Sequence, residues 1–270
     1  IAAACIGGMK RCTQLMARYG QNREISTGKL LANGVWSKRL LEISTEIFAL
    51  ECLVAHVGVL EDESASISPD IFAALKITAP EFFWSAADSF MQMLGGRGYI
   101  ETNVAPQLLR DARVARILEG PTEAIQMFLG ARVSKDAKAL YEFLDTLCRD
   151  DSVSERLKQA CSLHTDQYGS NHVLLCKLGE LAAQAILLAT IKARLHSDSL
   201  LETKYLQETS LNWAERRFTF LIGQAAESAG LVNEIKVDKV LDIVNSYRMS
   251  IGDVEQQLLG LSEELDPLLR

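Results

Sequence analysis

Apolar residues recur at helical spacing along most of this 270-residue chain, and no convincing segment alternates apolar with polar as a half-buried strand does. That pattern predicts an all-α fold, because a sheet has no period-two segments here to be built from. A first helix is expected over Ala2 to Arg23, with Ile6, Met9, Leu15, Met16 and Tyr19 near helical spacing, ending at Gly20-Gln21-Asn22. After a polar connection (Gly28 to Gly34), Val35 to Leu60 reads as a long amphipathic helix. Ser68 is placed to cap a third helix that has Pro69 in its first turn, runs to Leu94 and is expected to bend at Pro80. Gly95, Gly96 and Gly98 then interrupt the pattern, before a short helix (Val104 to Arg113) and another from Pro121 towards Ala139.

The stretch from Asp145 to Tyr168 is more polar and less regular, with Arg149-Asp150-Asp151-Ser152 at its centre, and reads as a connector. Beyond it come Asn171 to His196, Leu200 to Ala229, and two shorter helices around 237–247 and 251–265. The expected organisation is a four-helix-bundle domain over 1–140, a connector over 141–168 and a second helical bundle over 169–270. Ile1 to Gly8 already reads as helix interior with no initiator Met, so the chain is expected to be part of a longer one.

Composition removes several classes of function. There are 28 Lys and Arg against 35 Asp and Glu, a net charge of −7, where a general nucleic-acid binder needs a basic excess or a basic face. Six cysteines include no C-x-x-C pair, and the helical spacing of Cys5 and Cys12 with the apolar neighbours of Cys52 and Cys176 predicts buried free thiols and a reducing compartment. His56, His164, His172 and His196 lack ligand spacing, so no metal site is expected. No uninterrupted apolar run reaches the roughly 18 residues of a bilayer span, so no integral membrane segment is expected. The basic residues near the connector are mixed with acidic ones, which favours a packed bundle over a lipid-binding surface. The nucleophile-elbow, P-loop and H-E-x-x-H templates are absent.

Three short pieces carry the chemical signal: Gln92-Met93-Leu94-Gly95-Gly96-Arg97-Gly98-Tyr99, then Arg110-Asp111-Ala112-Arg113, then Leu118-Glu119-Gly120-Pro121. Taken singly, the glycines are a helix C-cap and Glu119 is a solvated side chain before a turn. Taken in order, they resemble the acyl-CoA dehydrogenases, in which Q-x-x-G-G-x-G-[YF], R-D-x-[RK] and E-G-[TS] follow one another. The resemblance covers about Ala2 to Val133. Asn22-Arg23 and Lys29 resemble in spacing an N-R-x-x-F-G-x-K element of the very-long-chain branch, and the helices after about Ala139 resemble more weakly that branch's C-terminal extension.

The resemblance implies the C-terminal helical domain of an FAD enzyme that oxidises an acyl-CoA, or another acyl thioester, to its trans-2-enoyl product. Glu119 is then the base for the α-proton, a weak acid whose removal needs a positioned carboxylate in a water-poor site. The Glu119 N–H is implied to help polarise the thioester carbonyl, and Gly120 to keep the turn slim. Gln92, Gly95 and Gly96 would line the adenosine and pyrophosphate of a partner subunit's FAD, and Arg23 would hold its phosphates. Arg110 and Asp111 are expected to form a structural ion pair. An electron-transfer flavoprotein or similar acceptor, a homodimer or homotetramer, and a bacterial cytoplasm or mitochondrial matrix complete the implication.

Ser26 and Thr27 stand where the family element has an aromatic residue and Gly, Ser37 where many members have Gln, Pro121 where Thr or Ser is common, and Leu118 where an aromatic residue is common. A non-catalytic helical scaffold or assembly subunit on the same fold therefore stays open, as does a flavin-dependent oxidase.

Overall fold

The computed structural model describes residues 1–162, 171–196, 203–231 and 236–252. Among them the fold is all-α apart from one two-residue hairpin. Helix α1 (Ala2–Asn22) leads through strands β1 (Glu24–Ile25) and β2 (Gly28–Lys29) and a 3-10 turn (Leu30–Ala32) into α2 (Gly34–Asp62). Then follow α3 (Pro69–Leu94), the single-turn α4 (Gly96–Tyr99), α5 (Ala105–Ala115) and α6 (Thr122–Lys135). Helices α7 (Lys138–Cys148), α8 (Ser152–Ser162), α9 (His172–Leu195) and α10 (Lys204–Leu231) come next, and α11 (Val237–Ser246) and α12 (Arg248–Ile251) after those. The helix expected over 251–265 falls almost wholly outside the described residues.

Local chemistry explains the boundaries. Ser68 accepts from the Asp70 N–H at 3.2 Å and caps α3, with Pro69 in the first turn where its missing N–H is no loss. Asn33 caps α2 by accepting from the Val35 N–H at 2.9 Å. Pro80 is buried inside α3, which runs through it without interruption. The polar connection expected at 28–34 divides into the second strand of the small hairpin, the 3-10 turn and the cap of α2, and the hairpin's ends Glu24 and Lys29 are paired at 2.6 Å.

The stretch read as a connector is mostly helix. On α7, Leu140, Leu144 and Cys148 form a buried stripe at four-residue spacing, and on α8 Val153, Leu157 and Cys161 do the same. The Arg149–Ser152 run that looked like a linker is the tight turn between them. Arg149 sits at φ +59° and the Asp150 carboxylate accepts from the Ser152 N–H at 2.9 Å, so these polar residues end one helix and cap the next.

The chain divides into two compact units, Ile1–Ala229 and Gly230–Arg270, so positions 140 and 169 fall inside the first. One hydrophobic cluster runs through that unit from Cys5 to Ala225. In the second unit the described side chains of α11 and α12 are exposed. Helix α3 is the column of the first unit: α1 runs parallel to it, Gly8 lying against the Phe83 ring and Gly20 against Met93. Helices α2 and α9 are long and apolar enough to cross a bilayer, but 83% of the apolar window of α9 lies inside the protein, where it packs on α2, α3, α6, α7 and α8.

Helices α6 and α9 approach each other very closely. A Cβ built on Gly130 would run into the Leu175 carbonyl, and one on Gly179 into the Gln126 carbonyl. The two backbones touch, so either glycine can become alanine only if the helices part. Gly179→Ala is expected to cost more than about 3 kcal/mol, above the usual range for overpacking. Gly58→Ala in α2, where a new Cβ meets nothing within 4 Å, should stabilise by about 0.5–1 kcal/mol. Thermal unfolding of the two variants tests this; equal Tm values would show that the crossing tolerates a methyl group.

Burial pushes the Glu46 carboxyl on α2 up to about 7, against the opposing pull of Arg217. A raised carboxyl holds its proton more tightly in the folded chain than in the unfolded one. Its contribution to stability is therefore full below about pH 4.5 and is lost as pH rises through 7. Replacing Glu46 with Gln should remove a loss on the order of 2 kcal/mol between those pH values. Denaturant unfolding at pH 5 and pH 8 checks it: wild type and variant should diverge in slope, and parallel behaviour would refute the assignment.

Candidate functional site

Helix α5 ends at Ala115 and α6 begins at Thr122, and the turn between them carries the motif residues. Glu119 sits at φ +58° and Gly120 at φ +104°. Glycine adopts such a conformation freely, whereas an L-residue is disfavoured there by about 1–2 kcal/mol. A strained residue of this kind persists only where its surroundings hold it. The Glu119 side chain is exposed, and its N–H makes no backbone hydrogen bond among the described residues.

What holds the turn is α3. Lys76 donates to the Ala115 carbonyl at 2.9 Å. One oxygen of Glu81 accepts from Arg116 Nε at 2.6 Å and from Thr122 Oγ1 at 2.7 Å. The Arg116 guanidinium also lies over the Trp84 ring, 5.6 Å from its centre. Across the turn itself, the Thr122 N–H donates to the Arg116 carbonyl at 3.2 Å. Burial pulls the half-buried Lys76 ammonium below its ordinary value, while the charges of Glu119, Cys5 and Glu81 pull the other way. Lys76 is thus a positive charge within electrostatic reach of Glu119.

Beside this turn opens a mainly apolar groove of about 480 Å³ between α1, α3 and α5. Phe83, Leu108, Val114 and Leu118 form its wall, Cys5, Gly7 and Gly8 its α1 side, and Arg11 and Asp111 are its charged members. Leu118 immediately precedes Glu119, so the carboxylate-bearing turn is also part of the groove.

The remaining candidates lie at the C-terminal end of α3. Gln92 is in its last turn, Gly95 caps it at φ +60°, and Gly96 begins α4. Arg23 ends α1 at the same end of the bundle, since Gly20 packs against Met93. Gln92, Gly95, Gly96 and Arg23 are all exposed, and a Cβ on either glycine would meet nothing within 4 Å. Arg23 makes no salt bridge among the described residues. By contrast, Gly98 is buried and a Cβ there would lie 2.6 Å from the Met91 carbonyl, so its role is packing. At 1.5 Å per residue, Glu81 and Gly95 are about 20 Å apart along α3. The structure thus gathers Arg23, Gln92, Gly95 and Gly96 at the C-terminal end of α3 and places Glu119 with Gly120 beside its middle.

Some partners differ from expectation. Arg110 pairs with Glu101, donating at 3.0 and 3.2 Å, rather than with Asp111, which faces the groove. Ser37 donates to the Leu31 carbonyl at 2.6 Å and so fastens the start of α2. Burial pushes the thiols of Cys12, Cys148 and Cys161 up to about 12, 11 and 11. Among the described residues no cluster of His, Cys, Asp and Glu could hold a metal. Sequence spacing does not point to Lys76, Glu81, Arg116 or Thr122. The available signal is a lysine and a glutamate in the middle of a mostly apolar helix.

The fold around this site is an all-helical domain with a carboxylate on a left-handed turn beside an apolar groove. Residues 1–134 match the family model of the acyl-CoA dehydrogenase C-terminal domain, and through this segment the chain belongs to the acyl-CoA dehydrogenase family. The bovine mitochondrial very long-chain specific acyl-CoA dehydrogenase is 23% identical over 221 residues, which cover 76% of this chain and 34% of that protein. A solved acyl-CoA dehydrogenase from Bacillus anthracis, complexed with FAD, shares the fold at TM-score 0.65 and 15% identity, over 92% of this chain and 50% of that one. Arabidopsis thaliana acyl-CoA oxidase 1 does so at TM-score 0.62 and 14% identity, over 92% of this chain and 47% of that one. The chain therefore spans about a third of the length of the bovine relative.

Proposed function

We propose that this chain supplies the base-bearing wall of an FAD-dependent acyl-CoA dehydrogenase, with Glu119 taking the α-proton of an acyl thioester. The observation that carries this reading is the left-handed Glu119-Gly120 turn, anchored to α3 and opening onto the apolar groove. Such a groove suits an acyl chain, because Phe83, Leu108 and Leu118 would exclude water from the carbon being deprotonated. Glu119 is exposed on this chain, so the water-poor surroundings that a carboxylate base needs would be completed by residues beyond it. The Glu119 N–H would donate to the thioester carbonyl as charge develops there.

The residues at the far end of α3 fit a flavin nucleotide. Gly95 and Gly96 leave open space at the surface, Gln92 offers a side-chain amide, and Arg23 has an unengaged guanidinium among the described residues. These four would hold the adenosine and pyrophosphate of FAD, and Gly120 would let a flavin ring approach the turn. When bound, FAD supplies the acceptor for the β-hydride. The separation of about 20 Å along α3 accords with Gln92, Gly95 and Gly96 serving the flavin of a neighbouring subunit in a homodimer or homotetramer. An electron-transfer flavoprotein or similar acceptor, and a mitochondrial matrix or bacterial cytoplasm, belong to the same reading.

Glu119→Gln in the full-length protein keeps the size and the backbone donor and removes the proton acceptor. FAD content and thioester binding should stay close to wild type, while flavin reduction by substrate falls by more than about 10⁴-fold, the upper range for general-base catalysis. The loss should appear in kcat at similar KM. Glu123→Gln, in the first turn of α6, is the matched control and should cost far less. Stopped-flow reduction at wild-type rate in Glu119→Gln, or equal losses in both variants, would refute the assignment. Variants and parent alike lacking flavin would favour a non-catalytic scaffold.

A further inference from the structure

We propose that Glu81 is a positioning residue for Glu119: its carboxylate fastens both ends of the 116–122 turn to α3 and so keeps Glu119 in its left-handed conformation. The inference rests on the reading of Glu119 as the base. Arg116 and Thr122 lie on opposite sides of the motif, three residues before and three after Glu119. They converge on a single Glu81 oxygen, at 2.6 and 2.7 Å, and Thr122 is buried. Charge-assisted hydrogen bonds of this kind are short, directional and roughly twice as strong as neutral ones.

The geometry separates this contact from an ordinary surface ion pair. A surface pair joins two side chains and leaves the backbone between them unconstrained. Here the same carboxylate gathers two points of one loop, and the loop is closed again by the Thr122 N–H on the Arg116 carbonyl at 3.2 Å. Neighbouring anchors add to it: Lys76 holds the Ala115 carbonyl at 2.9 Å, and Trp84 lies under the Arg116 guanidinium. Glu119, between the fastened ends, has no backbone hydrogen bond among the described residues to fix its own position. Its direction therefore depends on where 116 and 122 are held. Release of the clamp lets Glu119 leave positive φ, and the carboxylate moves away from the acyl groove.

The test is a set of variants in the full-length holoenzyme. Glu81→Ala removes both acceptor contacts. It should lower kcat by about 10²-fold, the size of effect that a displacement of about 1 Å produces, with KM changed by less than about threefold. Amide hydrogen exchange over 116–122 should accelerate by about tenfold or more, read without reference to activity. In a Glu119→Gln background, Glu81→Ala should bring no further loss of kcat, since a group that acts through another is not additive with it. Thr122→Ser keeps the hydroxyl and should behave as wild type, while Thr122→Val should move towards Glu81→Ala. Should Glu81→Ala fail to fold, this threonine pair carries the test.

A lower Tm with unchanged kcat, additivity in the double variant, or equal behaviour of Thr122→Ser and Thr122→Val would overturn the proposal. Unchanged exchange over 116–122 in Glu81→Ala would overturn the clamp itself. Wild-type turnover in the Glu119→Gln single variant would instead refute the base, and the exchange measurement distinguishes the two failures.

Discussion

Gly130 and Gly179 let α6 and α9 meet backbone to backbone, and the seat of α6 depends on that crossing. Helix α9 is buried through its middle and packs against five other helices, so it acts as a fixed wall. Helix α6 lies on that wall and begins at Thr122, where the Glu119-Gly120 turn ends. The residues after about 137 thus do more than follow a finished domain. They support the helix from which the candidate site starts, and one continuous core from Cys5 to Ala225 is the physical expression of that dependence.

From the other side the turn is held by α3. This helix is apolar for most of its length, and two of its charged residues, Lys76 and Glu81, hold the end of α5 and the turn into α6. A left-handed glutamate is unfavourable alone and stable between two anchored ends. The same helix carries Gln92 and Gly95 at its far end, about 20 Å away at 1.5 Å per residue. The rigid spacing of two candidate regions is thereby built into one element.

Much of this was legible in the residues. Ser68-Pro69 marked the start of α3, the Gly95-Gly96 pair marked its end, and Glu119-Gly120 marked a turn, because each is a local choice that depends on capping or φ. The turn at Arg149–Ser152 looks like a linker in sequence because capping residues and linker residues share a composition, and only the buried stripes of α7 and α8 tell them apart. Glu81 could not be found from spacing: its partners Arg116 and Thr122 are 35 and 41 residues away and meet it only through tertiary packing. Arg110 likewise went to Glu101, nine residues upstream, instead of to its neighbour Asp111. Gly130 and Gly179 gave no signal at all, since a glycine within a helix looks the same whether it faces water or a carbonyl.

The central claim is that Glu119 faces the α-carbon of an acyl thioester lying in the groove beside Leu118. The most direct measurement is a structure of the full-length protein with FAD and a non-reactive thioester analogue bound. A Glu119 carboxylate oxygen about 3–3.5 Å from the α-carbon, the range of a near-attack geometry, is the predicted result. An analogue bound elsewhere, or a Glu119 carboxylate directed away from it with another base at that distance, would contradict the account.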